Sequence, residues 1–390
     1  MSFLRAARAA LAGQSCLPRI FVALVVVVVL AGLSLSCGNS SHAKSGPNHN
    51  AYVTLPARGS VLLLHINGAN GAITVGAETP QVQDTTPTGI ALLPSKKFLY
   101  AVNSFANTIS IFKVASDGTL ALSGTPTPAG GSSPNAAVID PSGKYLLVTN
   151  NLTNDVSVFS IDAGTGALSP VGSPVRANMN PAEILITPSG KFVYVTNPGI
   201  GMVTAFTFSN GVLTQLPTSP VSSGAGAYGL AVDGSERFLY VANPSASNPP
   251  PFSSTLGNIS GFNIGSGGAL SPIPGSPFTA TNGSGPRAIT VDPTRKFVYA
   301  TTPGSGFSIW CFTITSTNGQ LVAATNSPFS LTAGGLFTLI DPSGNYLYIG
   351  SQDANGVAGY TYDPSSGAPT ANAGSPFSTV AAPGKMVFSE

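Results

Sequence analysis

Five polar side chains of different chemistry occupy the same position, or the next one, in copies of a repeated sequence pattern. They supply a carboxylate, an amide, a phenol and two cations, which are groups that enzymes use to transfer protons and to stabilise developing negative charge. In chain order they are Asn135, Glu183, Tyr228, Arg287 and Lys385. The alternative interpretation is a hydrated opening in which these groups contact only water. Whether these five side chains can lie close together depends on the strands that carry them.

The repeated pattern is an aromatic-led strand that recurs about every 48 residues. Its seven copies are AYVTL, LYAVN, LLVTN, VYVTN, LYVAN, VYATT and LYIGS, starting at Ala51, Leu99, Leu146, Val193, Leu239, Val298 and Leu347. Each repeat reads as four short strands separated by turns of the PSGK type, as at Pro141 and Pro188. A four-stranded repeat of this length predicts one blade of a β-propeller.

The two ends of the repeat array predict how the ring closes. The first repeat lacks the strand that precedes the aromatic-led strand elsewhere, whereas the chain ends in KMVFSE from Lys385, which matches RAITVD from Arg287. The sequence therefore predicts an all-β fold, a seven-bladed β-propeller over residues 51–390 whose C-terminal strand closes the first blade. Closure in this way leaves no exposed sheet edge.

Residues at the starts of the innermost strands are expected to gather at one face of such a ring. Aligning the seven starts gives Thr88, Asn135, Ala182, Tyr228, Arg287, Leu336 and Lys385, with Glu183 one position further inward. These positions vary, while packing positions such as Ile90 and Ile289 stay aliphatic. The ring is therefore the candidate site. An insertion of about twelve residues in the fifth repeat brings Phe252 to the same face, unless it is only a tolerated surface loop.

The tandem YVTN-type strands and DPSGKY-type turns resemble the YVTN-repeat and lactonase-like propeller family, which includes bacterial 6-phosphogluconolactonase. The resemblance covers about residues 51–390 and implies lactone hydrolysis by attack of water on a ring ester. Members of the family commonly carry Pro-Arg-His at the start of an inner strand. Here Pro286 and Arg287 match, but Ala288 stands in place of the histidine.

With that histidine absent, the resemblance implies that Glu183 replaces it as the base or orients the water directly, and that Arg287 or Lys385 stabilises the oxyanion. The predicted ligand contacts are Thr88, Asn135, Tyr228 and Phe252. The alternative function is a noncatalytic surface propeller that binds a glycan, peptide or protein partner at the same opening. Whether the chain is an enzyme therefore stays open at this point.

The first 37 residues are typical of a secretory signal peptide, since three arginines precede an apolar run over residues 20–33. The run ends in LSLSCG, which resembles a bacterial lipobox and predicts lipidation of Cys37. The alternatives are ordinary cleavage nearby and an uncleaved anchor, for which the run is shorter than the roughly 20 residues of a spanning helix. Residues 38–50 are predicted to be a flexible tether. The protein is thus expected in the cell envelope, periplasmic or surface-facing, attached to a membrane through its lipid.

Charge and cysteine usage exclude several classes of function. Without the three leader arginines, 13 of the 16 basic residues remain against 14 acidic residues, so no basic surface for nucleic acid is expected. The sequence has no G-x-S-x-G elbow, metal-spaced His or Cys pair, or phosphate loop, so neither a metal nor a cofactor is predicted. Cys311 is expected to be inert core packing, and the protein is expected to be a monomer.

Overall fold

The computed structural model describes residues 46–81, 85–244, 257–279, 285–303, 308–331 and 334–389 of the chain. Within them, short runs of β-branched and aromatic residues form strands, and Gly, Pro, Asn and Asp form the turns between them. A 3-10 turn at Pro56–Arg58 is the helical element among these residues. The described residues include no helix with the length and hydrophobicity needed to cross a lipid bilayer.

The described strands form seven antiparallel sheets, which are the seven blades in chain order. Blade 1 contains β1 (His49–Leu55), β2 (Ser60–Ile66) and β3 (Ile73–Glu78). Blade 2 contains β4 (Pro87–Leu92), β5 (Phe98–Asn103), β6 (Thr108–Val114), β7 (Leu120–Leu122) and β8 (Thr127–Pro128). Blade 3 contains β9 (Pro134–Ile139), β10 (Tyr145–Asn150), β11 (Asp155–Ile161), β12 (Leu168–Pro170) and β13 (Val175–Arg176).

The remaining strands follow the same order. Blade 4 contains β14 (Ile184–Ile186), β15 (Phe192–Asn197), β16 (Met202–Ser209), β17 (Val212–Gln215) and β18 (Val221–Ser222). Blade 5 contains β19 (Leu230–Val232), β20 (Phe238–Asn243), β21 (Asn258–Ile264) and β22 (Leu270–Pro272). Blade 6 contains β23 (Ala288–Val291), β24 (Phe297–Thr301), β25 (Ser308–Ile314), β26 (Leu321–Ala323) and β27 (Phe329–Ser330). Blade 7 contains β28 (Gly335–Ile340), β29 (Tyr346–Ser351), β30 (Gly356–Tyr362), β31 (Pro369–Ala371) and β32 (Phe377–Ser378).

The last strand, β33 (Met386–Ser389), belongs to blade 1. It pairs antiparallel with β1, in a register that places Tyr52 opposite Val387 and Val53 opposite Met386. The predicted all-β, seven-bladed fold with a C-terminal closing strand is confirmed. The start of β1 differs from the prediction by two residues, because His49 pairs with Ile66 and Asn50 pairs with both His65 and Ser389. Backbone pairing on both sides outweighs the polar character of this segment.

The hydrophobic core is divided among the junctions between neighbouring blades. Among the described residues, seven clusters of buried side chains each join two consecutive blades, and one of them joins blade 7 to blade 1. The alternating apolar residues of each strand supply both faces of a sheet, so every blade packs against two others. The ring is therefore closed by side-chain packing as well as by the pairing of β33.

The tyrosine of the repeated strand joins each blade to the next. In six blades its hydroxyl donates a hydrogen bond to a glycine carbonyl in the outer turn of the following blade, at 2.8–3.0 Å. The tyrosines are Tyr52, Tyr100, Tyr194, Tyr240, Tyr299 and Tyr348, all fully buried. Burial raises the pKa of Tyr52 to about 12, so this hydroxyl remains a donor at any physiological pH. Blade 3 has Leu147 at this position.

Removing one of these hydroxyls should destabilise the ring without altering its packing. We expect Tyr240→Phe to lower the free energy of unfolding by about 1–2 kcal/mol, because the buried Gly319 carbonyl loses its donor. The control is Tyr145→Phe, whose hydroxyl makes no hydrogen bond with any described residue. Denaturant titration of both variants measures the difference, and an equal loss in both would argue against the hydrogen bond as the cause.

The lone cysteine of the propeller lies where the sequence predicts. Cys311 is fully buried in β25, and burial raises the pKa of its thiol to about 12. At neutral pH it is therefore the protonated, unreactive form, as expected for a packing residue.

Candidate functional site

Six innermost strands, β4, β9, β14, β19, β23 and β28, start at the same face of the ring, because each runs from its interblade connection to a turn leading into the second strand. The seventh, β33, pairs antiparallel with the second strand β1 in the same way and therefore starts at that face too. We call this side the mouth face and the opposite side, which holds those turns, the turn face. Glu183, Arg287 and Lys385 each directly precede an innermost strand, namely β14, β23 and β33. The structure therefore places the three predicted catalytic residues at one face.

Glu183 and Lys385 form an ion pair in which the Lys385 ammonium donates to Glu183 Oε1. Lys385 belongs to blade 1 and Glu183 to blade 4, the greatest separation that a ring of seven allows. The pair therefore crosses the axis. The Lys385 side chain is 29% exposed and the Glu183 side chain is 15% exposed, so the carboxylate is largely withdrawn from water. The repeat alignment predicts that these residues share a face, and the structure shows that they touch.

Arg287 and Tyr228 form a second pair, between blades 6 and 5. An Arg287 Nη2 hydrogen donates to the Tyr228 hydroxyl at 2.9 Å, and Cζ lies 4.3 Å from the centre of the tyrosine ring. This combination of a hydrogen bond and a cation–π contact fixes the guanidinium. Its Nε is buried and has no hydrogen-bond partner among the described residues. Arg287 thus retains donor capacity that the described part of the protein does not use.

The two predicted ligand contacts on blades 2 and 3 brace the ring. The Asn135 amide donates to the Ala182 carbonyl at 3.0 Å, and the Thr88 hydroxyl donates to the Pro134 carbonyl at 3.2 Å. Each contact joins the start of one innermost strand to the start of the next. Their role in binding a ligand stays a prediction, as does that of Tyr228.

Thr196 is a positioning residue that the sequence analysis missed. Its buried hydroxyl accepts the Glu183 backbone N–H at 3.1 Å and donates to the Tyr228 carbonyl at 2.8 Å. It therefore fixes the starts of two innermost strands at once. The signal was present in the sequence, because this is the threonine of the YVTN strand, and Thr149 makes equivalent contacts with Ala136 and Ala182.

Several predictions concern residues outside those that the structure describes. These are the signal peptide with Cys37, the first part of the tether, and Phe252 with the insertion around it. His65 lies exposed on β2, its Nδ1 2.8 Å from Asn50 Oδ1, at the turn face and away from Glu183. Among the described residues, no three His, Cys, Asp or Glu side chains lie close enough to hold a metal ion together.

Comparison with known proteins gives a family and a fold. The sequence model of the family described as Lactonase, 7-bladed beta-propeller matches residues 42–181 and 179–386. No curated protein matches the chain.

Two solved structures illustrate the likeness in fold. A putative 6-phosphogluconolactonase from Bacteroides fragilis is 20% identical, with a TM-score of 0.76, over 90% of this chain and 100% of that one. The periplasmic gluconolactonase of Pseudomonas aeruginosa is 18% identical, with a TM-score of 0.71, over 88% of this chain and 99% of that one. At these identities the comparison establishes a shared architecture and leaves the chemistry to the residues of this chain.

Proposed function

The chain belongs to the seven-bladed lactonase β-propeller family, and on that premise we propose that it hydrolyses a lactone at the mouth face. The observation that carries the proposal is the Glu183–Lys385 pair across the axis, at the same face as Arg287. Together these residues supply a carboxylate that can accept a proton and two cations that can stabilise an oxyanion. Both are needed when water opens a ring ester.

In the proposed reaction, Glu183 accepts a proton from water as the water oxygen bonds to the lactone carbonyl carbon. The carbonyl oxygen becomes an oxyanion, which Arg287 or Lys385 stabilises. The ammonium of Lys385 has three donors, so it can contact Glu183 and this oxyanion together. When the intermediate collapses, the ring C–O bond breaks and Glu183 returns the proton to the departing oxygen. The product is the open hydroxy acid.

Glu183 takes the role of base because Ala288 begins β23 at the position where similar propellers carry histidine. The side chain of Ala288 is buried and has no group that can accept a proton. Glu183, on blade 4, is the carboxylate at the innermost-strand starts. Its backbone is held by Thr196 and its side chain by Lys385. Such fixed geometry suits a group that must meet one water molecule and one carbonyl carbon.

The test is hydrolysis of a panel of sugar and aliphatic lactones by the wild type and by Arg287→Ala. We expect turnover above the buffer rate for at least one lactone, and a loss of roughly 10²–10³-fold in kcat/KM in the variant, as for removal of one oxyanion donor. The control is Arg176→Ala, which removes an exposed arginine from β13. Wild-type rates equal to buffer across the panel would reject the enzymatic function.

A noncatalytic propeller that binds a glycan, peptide or protein partner is the second candidate. Two observations favour it: Ala288 cannot replace histidine, and the Glu183 carboxylate is already compensated by Lys385. Absence of turnover together with saturable binding of a glycan or peptide at the mouth face, lost in Arg287→Ala, would support this function instead.

We also propose that the protein is exported and anchored through Cys37, on the strength of the arginine-led apolar run and the lipobox-like LSLSCG segment. Expression of the full chain in a bacterium should place it in the membrane fraction. Cys37→Ser should move most of it to the soluble fraction, since an acyl chain would no longer be attached. An identical distribution of the two proteins would contradict lipidation.

A further inference from the structure

A cleft of 520 Å³ opens on the turn face, across blades 5, 6 and 7, and takes no part in the proposed reaction. Its walls are the β19–β20 turn, the β23–β24 turn, the end of β25 and the outer turn that follows β30. The cleft therefore lies on the side of the ring opposite the Glu183–Lys385 pair.

Three cations and one carboxylate line this cleft: Arg237, Arg295, Lys296 and Asp233. Asp233 is only 2% exposed, and its oxygens accept the N–H groups of its own turn and the Ser235 hydroxyl. Its capacity to accept hydrogen bonds is thus taken up within the turn. The lining carries an excess of positive charge.

The arginine of the β19–β20 turn is fixed in place by neutral groups. Arg237 donates to the carbonyls of Ser316 and Thr317, at 3.1 and 3.0 Å, and its Cζ lies 4.7 Å from the centre of the Phe238 ring. No described carboxylate pairs with it. The backbones of Arg295 and Lys296 are hydrogen-bonded within the blade, but their side chains make no hydrogen bond or ion pair with any described residue. Together the three cations form a positively charged wall that lacks a counter-ion within the described part of the protein.

The repeat supplies an internal comparison for Arg295. It lies at a left-handed position of the turn, with φ of 62°, where blades 3, 4 and 7 have glycine. A side chain there costs about 1 kcal/mol relative to glycine. Glu236, the equivalent residue in blade 5, contacts the backbone N–H and hydroxyl of Ser189 in the preceding blade. Lys96 holds the equivalent left-handed position in blade 2, with φ of 59°. The side chains of Arg295 and Lys96 have no comparable hydrogen bond with a described residue, and Arg295 differs from Lys96 in lining the cleft.

We propose that this cleft binds the phosphate group of a phosphorylated ligand. A phosphate carries close to two negative charges at neutral pH and accepts hydrogen bonds on three oxygens, which suits one or two guanidinium forks and an ammonium. The side chains of Phe297 and Ile314 add an apolar part that can contact the carbon skeleton. The phosphate can belong to a soluble metabolite or to a lipid headgroup, and the binding experiment distinguishes the two.

The experiment titrates inorganic phosphate into the protein by calorimetry at constant ionic strength, so that general screening stays fixed. We expect Arg295→Gln/Lys296→Gln to weaken phosphate binding by about 10-fold or more. The matched control is Lys96→Gln/Lys97→Gln, which removes the same charge from the equivalent turn of blade 2 and should bind as the wild type does. Equal melting temperatures of the three proteins show that folding is preserved.

A second arm uses vesicles of phosphatidylcholine with and without phosphatidic acid. If the wild type binds the phosphatidic acid vesicles and Arg295→Gln/Lys296→Gln, the blade 6 variant, does not, the phosphate belongs to a lipid headgroup. If the wild type binds inorganic phosphate but not the vesicles, the phosphate belongs to a soluble compound. The inference is overturned by a wild type that does not bind phosphate. It is equally overturned if the blade 2 control loses as much affinity as the blade 6 variant.

Discussion

A chain that ends at Lys385 should melt about 10 °C or more below the full-length protein. Its loss of β33 leaves blade 1 without an innermost strand and exposes the edge of β1, which pairs with β33 from Asn50 to Val53. Met386 is buried, and the ring of Phe388 lies 5.8 Å from the ring of Tyr348 in blade 7. Full burial of one such side chain contributes roughly 1.5–3 kcal/mol, and the truncation removes buried Met386 together with the partly buried Val387 and Phe388. The loss is a large part of the roughly 5–15 kcal/mol by which a protein is stable.

The control for this truncation is a chain that ends at Ser389, which keeps all of β33. Both proteins are compared by scanning calorimetry, with circular dichroism to show that the strands are retained. Truncation should also increase aggregation, because the unpaired backbone of β1 can pair with another chain. An unchanged melting temperature for the chain ending at Lys385 would show that β33 contributes little to closure of the ring.

Glu183→Gln should reduce lactone hydrolysis by roughly 10²–10⁴-fold, the contribution typical of a positioned general base. Glutamine keeps the size and shape of the side chain but cannot accept a proton from water. The effect should appear in kcat more than in KM, because the proton moves only in the transition state. The measurement uses the lactone that the wild type opens fastest.

Because Glu183→Gln also removes the ion pair, Lys385→Met is its comparison, since it breaks the same contact and leaves the carboxylate in place. A greater loss in Glu183→Gln assigns the proton transfer to the carboxylate. Glu236→Gln, on the turn face, should leave the rate unchanged. Full activity of Glu183→Gln would move the base to another residue.

The repeat made most of the fold predictable because each strand of one blade has an equivalent in the others. The spacing of the tyrosines predicts the blades, and the match of the final residues to the start of β23 predicts the pairing of β33 with β1. The start of β1 is the exception. His49 and Asn50 were predicted to belong to the tether because their side chains are polar, but their backbones pair with neighbouring strands.

The site was predictable as a set of positions and unpredictable as a set of contacts. Alignment places Arg287 and Lys385 at equivalent strand starts and Glu183 one position further inward, but it carries no information on how far a side chain reaches across the axis. Lysine is long enough to meet the carboxylate of a blade three positions away, whereas Arg287 instead stacks on Tyr228 of the neighbouring blade. The position of Thr196 between Glu183 and Tyr228 follows from the closeness of two blades, which the sequence does not specify.

Pairing between the first and last strands sets an order for folding during translation. During translation β1 has no partner on its inner side until β33 is made, because β33 follows all the other described strands in the chain. The middle blades can assemble early, but the circle can be completed only after β33 has been synthesised. The nascent chain therefore exposes an unpaired edge until the seventh blade and β33 have been made, and this is the stage at which a chaperone would be most useful.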